Sequence, residues 1–158
     1  MSETIHTGGC QCGAVRYKAL GDDFGGSICH CRMCQKQSGS YFGAFATFSN
    51  DKVTWTRGQP SYFQSSTVAK RGFCKDCGTP LTYEWDRDGI SLSIGSFDDP
   101  NKVAPTKQLD YAARIKSFDD LHELPIRPED PEFQAQLSAM KNFQHPDHDT
   151  AEWPDSQD

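Results

Sequence analysis

Seven cysteines, gathered into three short clusters, constrain this chain more than any other feature of it. Cys10 and Cys12 lie in "GGCQCGAVRY", Cys29, Cys31 and Cys34 in "CHCRMCQKQSG", and Cys74 and Cys77 in "FCKDCGTPL". The first and last clusters form two close pairs far apart in sequence. That is the pattern of a structural zinc site, because four thiolates at about 2.3 Å satisfy a tetrahedral Zn²⁺ completely. A CxC on an extended segment points both sulfurs to one side of the chain. A CxxC followed by glycine makes a tight turn that aims two sulfurs at one ion. Gly8, Gly9, Gly13 and Gly78 flank the pairs, as expected where backbone folds closely around a metal. Cys10, Cys12, Cys74 and Cys77 are therefore expected to hold a structural zinc whose binding is part of the folding energy.

Cys29, Cys31 and Cys34 remain. Three thiolates on a second zinc leave one tetrahedral position for water or substrate, the pattern of a catalytic rather than a closed site. Two alternatives stand beside this. His30 can be the fourth ligand and close the site, although alternation along an extended CHC segment sends it to the opposite side from its neighbours. Alternatively, one of the three thiols is simply a core residue. Arg32, Lys36, Lys70 and Arg71 are cations that would lower thiolate pKa values or meet an anion if the fold brings them near.

The rest of the sequence narrows the class. At 158 residues the chain is expected to be one domain with a modest core, since hydrophobic residues are 35% of it. No apolar run approaches the roughly 18 residues that suggest a membrane span, so no membrane partner is expected. "MSETIHTGG" has neither the basic nor the apolar region of a secretory signal. The expected location is therefore the cytoplasm, where seven cysteines serve as metal ligands rather than disulfides. The net charge of −6 comes entirely from residues 126–158, which hold 2 Lys+Arg against 8 Asp+Glu, while residues 1–125 hold 14 of each. A neutral body with an acidic tail lacks the basic footprint of a nucleic-acid binder.

Short runs bounded by Gly, Pro, Asn and Asp predict strands over 14–20, 41–48, 52–56, 67–73, 81–85 and 90–96, with another through 107–115. "DRDG" (86–89) reads as a hairpin turn. The fold class is thus mostly β and antiparallel. One helix is expected over 131–143, capped by Asp130 and opened by Pro131, with Phe133, Leu137 and Met140 on one face. That face would cover apolar surface of the body or of a second subunit, so a homodimer is an expectation too. The stretch after about residue 145 is expected to be poorly ordered and dispensable.

The three cysteine motifs, in this order, closely resemble those of the glutathione-dependent formaldehyde-activating family, whose domain is shared with centromere protein V. The resemblance covers roughly residues 6–125 and leaves 126–158 as an acidic C-terminal segment. It implies a zinc-stabilised antiparallel β-tent like that of Mss4-like proteins. It also implies a structural zinc on Cys10, Cys12, Cys74 and Cys77, and a catalytic zinc on Cys29, Cys31 and Cys34. The implied activity is that of a carbon–sulfur lyase condensing formaldehyde with glutathione to S-hydroxymethylglutathione, so a small thiol or thiol adduct would be the partner. The pattern departs downstream of residue 100, where family members often carry a histidine and a tryptophan and this chain has Tyr111 and Phe118. Two rival readings use the same cysteines. One is a non-catalytic zinc-stabilised binding or chaperone-like module, and the other a redox or metal-buffering protein that exchanges its ligands.

Overall fold

The computed structural model describes residues 3–87 and 89–153. Its strands are β1 (Ile5–Gly9), β2 (Arg16–Leu20), β3 (Gly25–Cys29), β4 (Gly43–Phe48), β5 (Val53–Arg57), β6 (Ser61–Gln64), β7 (Ala69–Phe73), β8 (Pro80–Trp85), β9 (Ile90–Ser93) and β10 (Lys107–Leu109). Helix α1 spans Arg32–Ser38 and α2 spans Pro131–Ala139, and short 3₁₀ turns fill much of 94–123. A three-stranded sheet runs β1-β2-β5 and a seven-stranded sheet runs β10-β3-β4-β9-β8-β7-β6. Every pairing is antiparallel except that of β10 with β3. The protein is mostly β, as its turn-punctuated sequence indicates. Strands β1, β3 and β6 were not expected, because glycine and polar residues obscure their alternation. The turn expected over "DRDG" falls between β8 and β9, with Asp88 outside the described residues.

The period of two along each strand divides the large sheet into two working faces. Ala46 and Phe48 on β4 and Ile90 and Leu92 on β9 point to one side, where they join Tyr17, Ala19, Leu81, Phe97 and Val103 in the main core. A buried side chain of this size contributes roughly 1.5–3 kcal/mol. The alternate positions, among them Cys29, Phe45, Arg71, Tyr83 and Ser91, face the other way and line a cleft. Sheet register sets what meets there: Arg71 lies opposite Tyr83, Tyr83 opposite Ser91, and Leu109 opposite Cys29.

Two expectations for the C-terminal segment are corrected. Helix α2 forms as its capping residues dictate, with Phe133 N–H donating to Asp130 Oδ1 at 3.1 Å and Pro131 in its first turn. It ends at Ala139 rather than 143, and none of its residues is buried. Phe133, Leu137 and Met140 stay exposed, so this face is not buried against the body. The stretch after it, expected to be disordered, instead packs onto the body as far as Trp153. His145 is buried and its N–H donates to Gln11 O at 2.7 Å. Asp149 Oδ1 accepts from Arg16 at 2.6 Å, Thr150 O accepts from Arg57 at 2.6 Å, and Trp153 Nε1 donates to Cys12 O at 2.5 Å. The sequence reading missed this strap because it is held by polar contacts and two rings rather than by a periodic apolar face. Residues 154–158 of that expectation lie outside the described residues.

Candidate metal centres

The four outer cysteines converge. The thiols of Cys10, Cys12, Cys74 and Cys77 all lie within 4.8 Å of one another, a grouping able to hold a metal ion. Two turns aim them. Residues 10–13 close with Gly13 N–H on Cys10 O at 3.0 Å, and residues 74–78 with Gly78 N–H on Cys74 O at 2.8 Å. Gly13 and Gly78 take φ of 76° and 79°, a region that disfavours any side chain. At Gly13 a Cβ would also meet the Trp153 ring at 2.2 Å. The CxC therefore sits in a turn, not on the extended segment its spacing suggests; the sulfurs still meet, at 3.5 Å. Burial pushes the Cys10 thiol up, against the Val15 N–H that donates to its Sγ at 3.2 Å. Burial pushes the Cys77 thiol up, but the Thr79 hydroxyl and nearby backbone N–H groups more than offset this and bring it down to about 6.

The second cluster stands apart on the outer face of the large sheet. The thiols of Cys29, Cys31 and Cys34 likewise lie within 4.8 Å of one another. Cys29 ends β3, Cys31 caps α1, and Cys34 lies in its first turn. The extended reading of "CHC" thus holds only as far as Cys31, after which an unforeseen helix begins. The Cys34 N–H donates to Cys31 Sγ at 3.4 Å in the place of a Ser or Asp cap. Burial raises Cys31, yet that N–H and the neighbouring thiols outweigh it and hold it below the ordinary thiol value. Burial dominates at Cys29 and Cys34 and raises both, against an opposing hydrogen bond and charge from Arg71 at Cys34. Both donor sets suit a thiophilic divalent ion. One is closed at four sulfurs and the other is open at three.

His30 is not among these donors. It is fully buried on the far side, with Nε2 on Gln108 Oε1 at 2.9 Å and its ring against Phe118 at 4.7 Å, Tyr111 at 5.7 Å and Phe42 at 5.8 Å. Gln35 Nε2 donates to His30 O and Ala113 O, tying α1 to the segment that follows β10. Tyr111 and Phe118, where the resemblance departs, thus serve to wall in His30. His30→Ala is expected to keep full metal content by native mass spectrometry while losing about 2 kcal/mol of stability to the cavity.

Of the cations considered, only Arg71 reaches the cluster, with Nη2 donating to Cys34 Sγ at 3.2 Å. Lys70 pairs with Glu84 at 3.1 Å, Arg32 donates to Gln35 Oε1, and Lys36 lies in the last turn of α1. One residue escaped the sequence reading. Asp110 Oδ2 stands 3.5 Å from Cys29 Sγ, and Asp110 has a φ of 52°, unique among the described non-glycine residues. Strain of this kind gathers at functional sites. No local sequence signal marks it, since Asp110 is brought to the cluster by the pairing of β10 with β3. Above the three thiols opens a cleft of about 560 Å³, walled by Phe45, Tyr83, Trp85 and Leu109 and edged by Ser65, Ser91, Lys107 and Asp110. That volume suits a small organic molecule.

The chain belongs to the glutathione-dependent formaldehyde-activating enzyme family, whose sequence profile matches residues 5–113. Over 80 residues it is 35% identical to an uncharacterized lyase of Schizosaccharomyces pombe, covering 51% of this chain and 58% of that protein. The match therefore spans less than two thirds of that relative's own length. A crystal structure of a Rhodobacter sphaeroides protein superposes with a TM-score of 0.52 at 19% identity, covering 65% of this chain and 98% of that one, and so shares its fold. No helix among the described residues is long and apolar enough to cross a membrane.

Proposed function

We propose that this protein is a zinc-dependent enzyme of the carbon–sulfur lyase type, making or breaking the bond between a small thiol such as glutathione and formaldehyde or a related aldehyde. The observation that carries this reading is a three-thiol cluster, open on one side, at the floor of a cleft of small-molecule size. Family membership and the lyase name of the yeast relative support it. Cys10, Cys12, Cys74 and Cys77 would hold a structural zinc, and Cys29, Cys31 and Cys34 a second one. Bound there, zinc would supply Lewis-acid polarisation and stabilise a thiolate.

The chain's own residues would do the rest. Condensation forms one C–S bond and moves one proton from the substrate sulfur to the aldehyde oxygen. Phe45, Tyr83 and Trp85 give the reacting pair apolar walls to pack against. Arg71 Nη2 favours negative charge at the cluster. Asp110 Oδ2 faces the same cleft and is suited to accept the thiol proton and return it to oxygen. In the reverse direction the same groups release aldehyde from the adduct.

The test joins metal counting to turnover of S-hydroxymethylglutathione and related adducts. Cys31→Ser is expected to stay folded, keep one metal, and lose turnover by at least about a thousandfold. Undiminished turnover by that variant would remove the catalytic reading. A wild-type protein that binds one metal and turns over no thiol adduct would favour the non-catalytic binding module.

A further inference from the structure

We infer that Arg71 is the fixed counter-charge of the three-cysteine cluster, and that it sets the cluster's metal affinity and its readiness to admit one more thiolate. This rests on the metal reading of that cluster given above. The Arg71 side chain is 1% exposed, and among the described residues no carboxylate forms an ion pair with it. Its donors go to Ser65 Oγ at 2.9 Å, Gln37 Oε1 at 3.4 Å and Cys34 Sγ at 3.2 Å, while its plane lies over the Tyr83 ring at 4.7 Å. Three of these four contacts are to neutral groups, Ser65, Gln37 and the Tyr83 ring. A guanidinium does not give up its proton in a protein, and burying it with no anion nearby is strongly unfavourable. The anion it was built to face is therefore the cluster itself.

Charge counting shows what such a residue does. Counting the ion, its three thiolates and Arg71, and leaving aside the Asp110 carboxylate 3.5 Å from Cys29, three thiolates around a divalent cation carry one net negative charge, and Arg71 cancels it. A substrate thiolate entering the open position restores a single negative charge to the assembly. Without Arg71 that entry would leave two negative charges in a buried site, an outcome disfavoured by a low local dielectric. Among the described residues no Lys or Arg hydrogen-bonds the thiols of the four-cysteine site, where backbone N–H groups and the nearby Lys75 charge face the sulfurs instead, and four thiols leave no position for a further ligand. Arg71 is a positioning residue. Its fork is aimed by Ser65 and by the cross-strand partner Tyr83, both of which lie on the cleft wall.

The experiment compares wild type, Arg71→Met and Arg71→Lys by competition for Zn²⁺ against a chromogenic chelator, with thermal melting alongside. The cobalt-substituted proteins are then titrated with glutathione while the thiolate-to-cobalt absorption band is followed. Arg71→Met, which fills the space without charge, is expected to hold one metal as tightly as wild type. The second is expected to be weaker by about tenfold or more, in the range seen when groups supporting metal ligands are removed, with glutathione uptake falling in proportion. Arg71→Lys keeps the charge and is expected to stay within severalfold of wild type in both. Unchanged second-site affinity in Arg71→Met would overturn the inference, as would a lysine variant as weak as the methionine one, which would make the fork's shape rather than its charge decisive. Should Arg71→Met fail to fold, Arg71→Lys decides: near-native affinity supports the inference, and a tenfold loss at unchanged melting overturns it. Uptake of a single metal by wild type would instead remove the functional reading on which the inference rests.

Discussion

Replacing Cys74 by serine is expected to give protein that is insoluble or unfolds near room temperature, with less bound metal than wild type. Cys74 is fully buried, belongs to the main core, and lies 3.8 Å from Cys12 across two turns that are 62 residues apart. A metal held at such a junction contributes folding energy of order 10 kcal/mol in small zinc peptides. The whole stability of a domain is commonly about 5–15 kcal/mol, so little remains once this term goes. The contrast with Cys31→Ser sharpens the expectation. Cys29, Cys31 and Cys34 are neighbours on one strand end and one helical turn, so losing their ion unties no distant segments. Melting temperature and metal content of the two variants check this together. A soluble Cys74→Ser protein with unchanged melting and metal content would end the structural assignment.

Ending the chain after Phe143 is the second large effect expected, and it reverses what the polar tail suggests on its face. The strap from His145 to Trp153 lies directly on the Cys10–Gly13 turn: His145 N–H on Gln11 O, Trp153 Nε1 on Cys12 O, and the two rings in edge contact at 5.0 Å. It also completes the surroundings of Arg16, which is buried in a two-pronged pair with Asp98 at 2.7 and 2.6 Å and takes Asp149 as a further partner. Several partly buried hydrogen bonds at about 1 kcal/mol each and the covering of two rings make a loss of roughly 3–5 kcal/mol. For a chain of this size that lowers the melting temperature by about 10 °C. Metal should also leave the four-cysteine site faster in a chelator chase, since the strap shields one of its turns. Equal melting and equal chelator rates in truncated and full-length protein would dismiss this role.

Acid should loosen the same strap. Burial holds the His145 imidazole below its ordinary range, and the Arg16 and Arg57 charges add to this against Asp98. Burial raises the Asp98 carboxyl, but Arg16 and the Thr7 hydroxyl more than offset it and hold it below the usual carboxylate range. A depressed folded-state pKa stabilises fully above the unfolded value and is lost as pH falls through the folded one. For His145 that loss begins below about pH 6.5, and for Asp98 below about pH 4. His145→Gln should flatten the upper part of the decline in melting temperature with pH, and an unaltered profile would show that the imidazole takes no part.

The seven cysteines were legible as four plus three before any fold was known, and with them the tight turn of the CxxC pair, although not the turn that carries Cys10 and Cys12. So were the turn-bounded strands other than β1, β3 and β6, and the cap that starts α2 at Asp130 and Pro131. These features are local, because a thiol two or three residues from its partner is positioned by a single turn whatever surrounds it. His30 was legible as turned away for the same reason, since alternation over three residues needs no tertiary context. Helix α1 was not, because Cys31 caps it in place of the usual Ser or Asp.

What faces the open cluster was decided by the tertiary structure alone. Arg71 reaches Cys34 from 37 residues away and Asp110 reaches Cys29 from 81, each placed by the register of one strand on another. A slip of one residue in that register would turn Arg71 to the opposite face of the sheet. No spacing in the sequence encodes that choice. The strap was undecided in the same way: His145, Asp149 and Trp153 look like a soluble tail until Gln11, Arg16 and Cys12 are brought beneath them. Short-range geometry set each local group of cysteines, and the packing of distant strands joined the two outer pairs and chose the charges, the cleft and the cover around both clusters.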